Sequence, residues 1–192
     1  MQKETDPRTG IEENVRISKY VQDNIDTFET ISNLLIDVFK RSNKVLLFGN
    51  GGSASIAEHI ASDFSSPKIH DPPLPAIALT TNTSLLTQIG NDYCFEKLFS
   101  FQVKQLVKPG DVVIGISTSG NSPNVILGIK EAKRIGAVTV ALTGQGGKLE
   151  KLVDHVLSVP SRNTQRIEEA CILIGHIMVS LVSWHLSPDS QK

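Results

Sequence analysis

Cysteine is scarce in this chain. Its 192 residues hold two, Cys94 and Cys171, with no CxxC spacing between them. That excludes a disulfide framework and the usual thiolate metal motifs, and it reads as reduced, packed thiols in a cytoplasmic protein. An excess of one charge is also missing. Lys and Arg total 19 against 20 Asp and Glu, for a formal net charge of -1. Such a balance gives no pull toward polyanions, so nucleic acid is not the expected partner. The start, MQKETDPRTGIEENVR, is too polar and acidic for a signal peptide. No unbroken apolar run approaches the roughly 20 residues that span a bilayer. The longest candidate, Ala170 to Trp184, is interrupted by Gly175, His176 and serines, so no membrane association is expected. Internal repeats and low-complexity linkers are absent as well.

What is present is alternation. Short apolar runs, KVLLFG, PAIALT, DVVIGIS, VTVALTG and HVLSVP, are separated by stretches with apolar residues at helical spacing. The runs are apolar throughout rather than every second residue, as in a parallel sheet covered on both faces. The expected fold is therefore α/β: a doubly wound, mostly parallel five-stranded sheet in a flavodoxin-like arrangement without a nucleotide, flanked by helices and carrying long N- and C-terminal helices. One domain is expected over 1–192. Residues 1–12 should fray, 13–42 should form one N-terminal helix used in oligomerisation, and 43–186 should hold the core and the last helix. A helix break is expected at Gly90-Asn91, a short helix at GKLEKLV, and a stop of the last helix at SPD.

Two loops stand out. GISTSGNSPNVI leaves the strand DVVIGI and gathers Ser117, Thr118, Ser119 and Ser122 around Gly120, just before a helix starting at Pro123. In an open α/β sheet, ligands bind beyond the carboxyl ends of the strands. A helix start there offers free N–H groups and a positive dipole end, which suit an anion. One capping serine in a polar turn is the plainer reading, but a cap needs one hydroxyl and not four. The loop has no Lys or Arg, so a phosphate would be held by dipoles. The second loop, LLFGNGGSASIAEH, runs strand, glycine-rich turn, helix. It is neither GxGxxG nor a P-loop, and Asn50, Gly51, Gly52 and Ser53 would wrap a smaller polar ligand.

Five stretches occur in the order found in sugar isomerase (SIS) domains: GNGGSASIAEHIASDF, AIALTTNTSLLTQIGNDY, GISTSGNSPNVI, ALTGQGG and RIEEACILIGHI. The combination with GNGGS, GNDY and a histidine in the last helix resembles the phosphoheptose (sedoheptulose 7-phosphate) isomerases. The resemblance runs from about Val45 to the end of the last helix. It implies substrate contacts from Asn50, Gly51, Gly52, Asn91, Asp92, Ser117, Thr118, Ser119 and Ser122, with Ser53 in the same turn. It also implies a divalent metal, zinc in the family, on His59, Asp63, Glu168 and His176, with Asp63 and His176 sharing the proton work and Glu168 facing substrate. Two positions depart from the family pattern: aspartate stands at 63 where glutamate is usual, and glutamate at 168 where glutamine is usual.

Taken on spacing alone, His59 and Asp63 share a helix face at i and i+4, and Glu168 and His176 lie two turns apart. Two such pairs read as solvated helix faces at least as readily as ligands. As ligands, two carboxylates and two imidazoles would balance a divalent ion and make manganese or iron(II) plausible beside zinc. Aspartate is one methylene shorter than glutamate, so Asp63 is expected to fall about 1.5 Å short. The resemblance implies a ketose–aldose isomerase that makes a heptose phosphate through an enediol, feeding ADP-heptose, lipopolysaccharide or another surface glycan. It also implies a homotetramer, through ISNLLIDVF and ILIGHIMVSLV. The alternatives are a non-catalytic SIS protein that binds a sugar phosphate or a partner such as a replication initiator, and an isomerase for another sugar phosphate.

Overall fold

A computed structural model describes residues 6–186. Five strands form one sheet: β1 (Val45–Gly49), β2 (Ala76–Ala78), β3 (Val112–Ser117), β4 (Val138–Gly144) and β5 (His155–Val159). Their order is β2-β1-β3-β4-β5 and every pair is parallel. The expected doubly wound sheet is therefore present. β1 and β3 are both central, and every residue of each is buried.

Seven α-helices cover the two faces: α1 (Pro7–Asp23), α2 (Ile25–Lys40), α3 (Gly52–Phe64), α4 (Thr83–Asp92), α5 (Leu98–Leu106), α6 (Pro123–Ile135) and α7 (Thr164–Leu186). Alternate residues of one strand point to opposite faces. Val45 and Leu47 of β1, with Ile114, Ile116 and Leu142, pack under α1, α2, α3 and α7. Leu46 and Phe48, with Val113 and Ala141, pack under α4, α5 and α6. This two-sided burial is why the strands read as continuous apolar runs.

Four details differ from expectation. The single N-terminal helix is two helices, broken at Asn24, whose Nδ2 donates to the Tyr20 carbonyl at 2.8 Å. Residues 7–12 are helical rather than frayed, because Asp6 caps the backbone N–H of Arg8 and Pro7 sits in the first turn. The helix expected to break at Gly90-Asn91 continues through them and ends at Tyr93, whose φ of -129° and ψ of -96° leave the helical region. The short helix in GKLEKLV is a single 3-10 turn, Lys148–Lys151. The SPD stop lies outside the described residues.

α7 also corrects the reading of apolar runs. By length and composition it is apolar enough to cross a membrane. Here it packs on α1, α2 and α3, and buries Ile167, Cys171, Ile174, Met178 and Val182. Burial pushes the Cys171 thiol up to about 12, with the nearby Glu168 charge adding to it, so this cysteine stays protonated. The expected oligomerisation stretch ISNLLIDVF is largely used inside the chain. Ile31, Leu35, Ile36, Val38 and Phe39 are buried. The exposed apolar residues of this region are Ile11 and Val15 on α1 and Ile25 at the start of α2.

At the amino ends of the strands, two carboxylates tie loops to the sheet. Asp111, 1% exposed, accepts from the backbone N–H of Lys44 and Lys108, from Asn43 Nδ2, and from Lys44 Nζ at 2.6 Å. Burial alone would raise its pKa, but these donors together hold it below its ordinary value. Asp154 accepts from Thr139 N, Thr139 Oγ1 and Lys133 Nζ. Burial opposes ionisation there too, and the donors outweigh it, bringing the group to about 2. Removing Asp111 strands the half-buried Lys44 ammonium. Asp111→Ala should lower the unfolding free energy by about 3 kcal/mol in urea titration. A depressed carboxylate stabilises the fold above its unfolded pKa, and that contribution vanishes as pH falls through the folded value. The melting temperatures of wild type and Asp154→Asn should therefore converge as pH drops from about 4 toward 2. Parallel curves over that range would show that Asp154 contributes no stability through its charge.

Candidate functional site

The chain winds outward from β1 to β2 on one side and to β3 on the other, so a crevice opens beyond the carboxyl ends of β1 and β3. Two loops fill it. After β1, Gly51 adopts a φ of +55°, which favours glycine, and α3 starts at Gly52. A Cβ on Gly49 would lie 2.6 Å from Ser53 Cβ and 2.8 Å from the Ile116 carbonyl. Only glycine lets the helix start this close to β3. After β3, Ser117 through Gly120 form a turn, with Gly120 N bonded to the Ser117 carbonyl at 2.9 Å and Gly120 at a φ of +62°. Ser122 is the cap residue and Pro123 the first residue of α6.

The serine loop is braced from the β4 side by backbone bonds. Gly144 N donates to the Thr118 carbonyl and Leu149 N to the Gly120 carbonyl. Lys148 N donates to Asn121 Oδ1 at 3.2 Å. Inside this frame the Ser117 and Ser122 hydroxyls lie 3.0 Å apart. Ser119 Oγ accepts from Asn121 N. Thr118 is half-buried, while Ser117 and Ser53 are buried. The result is a small cradle of neutral donors at a helix start, suited to a phosphate. Asn50 is placed at the rim, but its amide pairs with Asn124: Asn50 Nδ2 donates to Asn124 Oδ1 at 2.8 Å, and Asn124 Nδ2 donates back at 2.7 Å. Asn91 and Asp92 lie at the exposed end of α4 and bond each other at 2.8 Å. Among the described residues, neither is hydrogen-bonded to the two loops.

Seven residues beyond Gly52, on the order of 10 Å along α3, a second cluster forms. His59 Nε2 and His176 Nε2 are 2.9 Å apart, although 117 positions separate them in sequence. Asp63 Oδ2 lies 3.5 Å from the first and 3.6 Å from the second. The structure thus brings together His59, Asp63 and His176. The expected shortfall of aspartate at 63 does not keep its carboxylate away from the imidazoles. A point equidistant from these three atoms lies about 2 Å from each, within the range of zinc–nitrogen and zinc–oxygen bonds. The donor set, two imidazoles and one carboxylate, suits a divalent ion with a further position open. Glu168, the fourth expected ligand, stands apart. Its carboxylate lies over Gly52 at the start of α3, where a Cβ would collide with it, and it therefore faces the glycine turn rather than the histidines.

Comparison with known proteins gives the chain its family. The protein-family model described as SIS domain matches residues 12–144. The phosphoheptose isomerase of Aquifex aeolicus is 50% identical over 168 residues, covering 86% of this chain and 86% of that protein. That of Aneurinibacillus thermoaerophilus is 51% identical over 156 residues, covering 80% and 79%. The solved structure of phosphoheptose isomerase from Neisseria gonorrhoeae aligns with a TM-score of 0.86 at 39% identity, covering 91% of this chain and 95% of its own. The chain belongs to the phosphoheptose isomerases of the SIS-domain family. It is an aldose–ketose isomerase.

Seen against a phosphoheptose isomerase, the sequence reading missed three residues at the crevice. Asn124 holds Asn50. Thr143, at the end of β4, and Thr80, after β2, are buried hydroxyls without a partner among the described residues. A Cβ on Gly120 would lie 2.8 Å from Thr143 Oγ1, so the serine loop rests directly on it. The only sequence signal for Asn124 was its place in the first turn of the helix after the serines.

If the three-residue cluster holds a divalent ion, saturation with zinc at about 100-fold over Kd should raise the melting temperature by roughly 5 °C or more. The shift should disappear in His59→Ala, Asp63→Ala and His176→Ala and persist in Glu168→Gln. Loss of the shift in Glu168→Gln would place that carboxylate among the ligands after all.

Proposed function

We propose that this phosphoheptose isomerase converts sedoheptulose 7-phosphate to D-glycero-D-manno-heptose 7-phosphate. The observation that carries the reading is the meeting of His59, Asp63 and His176 from two distant helices, on the same α3 whose start forms the glycine turn. The phosphate is held by Ser117, Ser119 and Ser122 and the first turns of α3 and α6, with Thr118 and Ser53 lining the approach. The glycine turn and the serine loop contain no Lys or Arg, so the dianion is bound by oriented dipoles that need no rearrangement on binding.

At the other end, moving from ketose to aldose shifts one proton from C1 to C2. Asp63 takes the proton from C1, the electron pair forms the C1–C2 double bond, and His176 donates to the C2 oxygen from the ring nitrogen that would not hold the ion, giving the enediol. The reverse transfers, with the proton returned to C2 and one withdrawn from the C1 hydroxyl, complete the aldose. His59, Asp63 and His176 would hold the divalent ion, zinc by the nitrogen-rich donor set with manganese or iron(II) as alternatives, and when bound it supplies polarisation of the carbonyl and hydroxyl oxygens. Glu168 at the glycine turn faces the middle of the bound sugar.

The active form is read as a cytoplasmic homotetramer with sites at subunit boundaries, supplying heptose for ADP-heptose and lipopolysaccharide or another surface glycan. Ile11 and Val15 on α1 and Trp184 on α7, each more than 60% exposed, support subunit packing through these two helices.

Phosphorus NMR with sedoheptulose 7-phosphate and added zinc should show conversion to the aldose phosphate. Asp63→Asn and His176→Ala should each lower kcat by about 10²-fold or more. Ser122→Ala should raise KM several-fold and leave kcat nearly intact. A wild-type protein that binds the sugar phosphate but never converts it would instead be a non-catalytic SIS protein.

A further inference from the structure

The β1–β3 ladder stops at Gly49 opposite Ile116, and the two chains then part into the glycine turn and the serine loop. One side-chain pair bridges the gap beyond. Asn50 and Asn124 exchange two hydrogen bonds, at 2.7 and 2.8 Å, across 74 positions of sequence. Asn124 is 1% exposed, and its Oδ1 also accepts from Val125 N at 3.0 Å. Three of that amide's four hydrogen-bonding directions are therefore occupied, both of those on its oxygen included. We propose that Asn124 is a positioning residue that sets the width of the phosphate cradle by locking Asn50, and with it the glycine turn, to the first turn of α6.

The chemistry of the pair supports this role. A reciprocal double bond needs one donor and one acceptor on each side, which a primary amide provides and a carboxylate or an alkyl group does not. An aspartate at 124 would face Asn50 Oδ1 with a second oxygen and break one bond. An alanine would leave the Asn50 amide without its partner and free the turn to drift. The neighbouring Gly51, at a φ of +55°, has no side chain to restrain the turn by packing. On the other flank the serine loop is already fixed by backbone bonds to Gly144 and Leu149. The Asn pair is thus the matching restraint on the β1 side. It also means that the Asn50 side chain acts on substrate through geometry, while direct contact falls to the hydroxyls and to backbone N–H groups.

The inference rests on the proposed phosphate site, and the test separates the two. Inorganic phosphate is titrated as a competitive inhibitor of sedoheptulose 7-phosphate turnover in wild type, Asn124→Ala, Asn124→Asp and Asn50→Ala, with folding checked by circular dichroism and melting. Loss of the tie should raise both KM and the phosphate inhibition constant by roughly tenfold or more, the effect of losing one or two hydrogen bonds to the frame, with a smaller change in kcat. The double variant Asn50→Ala/Asn124→Ala should be no worse than either single variant, since both remove the same link. If Asn124→Ala fails to fold, the nearly isosteric Asn124→Asp carries the same expectation. Unchanged KM and phosphate inhibition in folded Asn124→Asp, or additive effects in the double variant, would overturn the proposal while leaving the function intact. A wild type that neither turns over the sugar nor binds phosphate would overturn the function and the inference together.

Discussion

The close approach of α7 to α3 is the constraint on which the site depends. A Cβ on Gly175 would sit 2.6 Å from Ile60 Cγ1, so a side chain there would force the helices apart. Gly175 precedes His176, and Ile60 follows His59. The same contact that seals the core under these helices therefore sets the two imidazoles edge to face, with their Nε2 atoms 2.9 Å apart. Packing in a protein interior is dense enough that a shift of one methylene is felt. Geometry at the histidines is thus fixed by apolar atoms one residue away and not by the histidines themselves.

The sheet distributes work between its two ends. At the amino ends, Asp111 and Asp154 are ionised, multiply hydrogen-bonded and paired with Lys44 and Lys133. These are pairs in which each charge already has its partner, and they hold loops and strands in place. At the carboxyl ends of β1 and β3, the serine loop offers hydroxyls and backbone N–H groups, beside an amide pair, and the Glu168 carboxylate stands at the glycine turn. The serine loop itself has no charged side chain and no ion pair to break when an anion arrives. The proposed cradle follows from this separation: neutral, oriented donors in a braced frame bind a phosphate without competing ion pairs.

Glycine has distinct uses along this path. Gly49 and Gly175 permit close approach, while Gly51 and Gly120 permit left-handed turns. Gly49, Gly51 and Gly175 lie along one path from β1 through α3 to α7, while Gly120 rests on Thr143 and Gly147. The departures at 63 and 168 fit that path. Asp63 still reaches the imidazoles because close helix packing narrows the distance it must span. Glu168, one turn inside the start of α7, comes to rest over Gly52 because that glycine leaves room for a carboxylate.

Much of this was legible in the sequence because it follows from local chemistry. Apolar runs without alternation announce a sheet buried on both faces, and the hydroxyl-rich loop before Pro123 announces a helix start that can take an anion. The five ordered stretches carried the family. Local signals placed helix limits less well: Asn24 splits the N-terminal region through a side-chain bond to Tyr20, and Gly90 is carried through α4. What only the tertiary structure decided are distances between residues far apart in the chain. Nothing in the spacing of Glu168 and His176 says that one meets Gly52 and the other meets His59, because periodicity reports a face of one helix and not the neighbour it touches. Nor could Asn50 be seen to face Asn124, since a hydrogen bond across 74 positions exists only once the parallel register of β1 and β3 has brought both loops to the same edge.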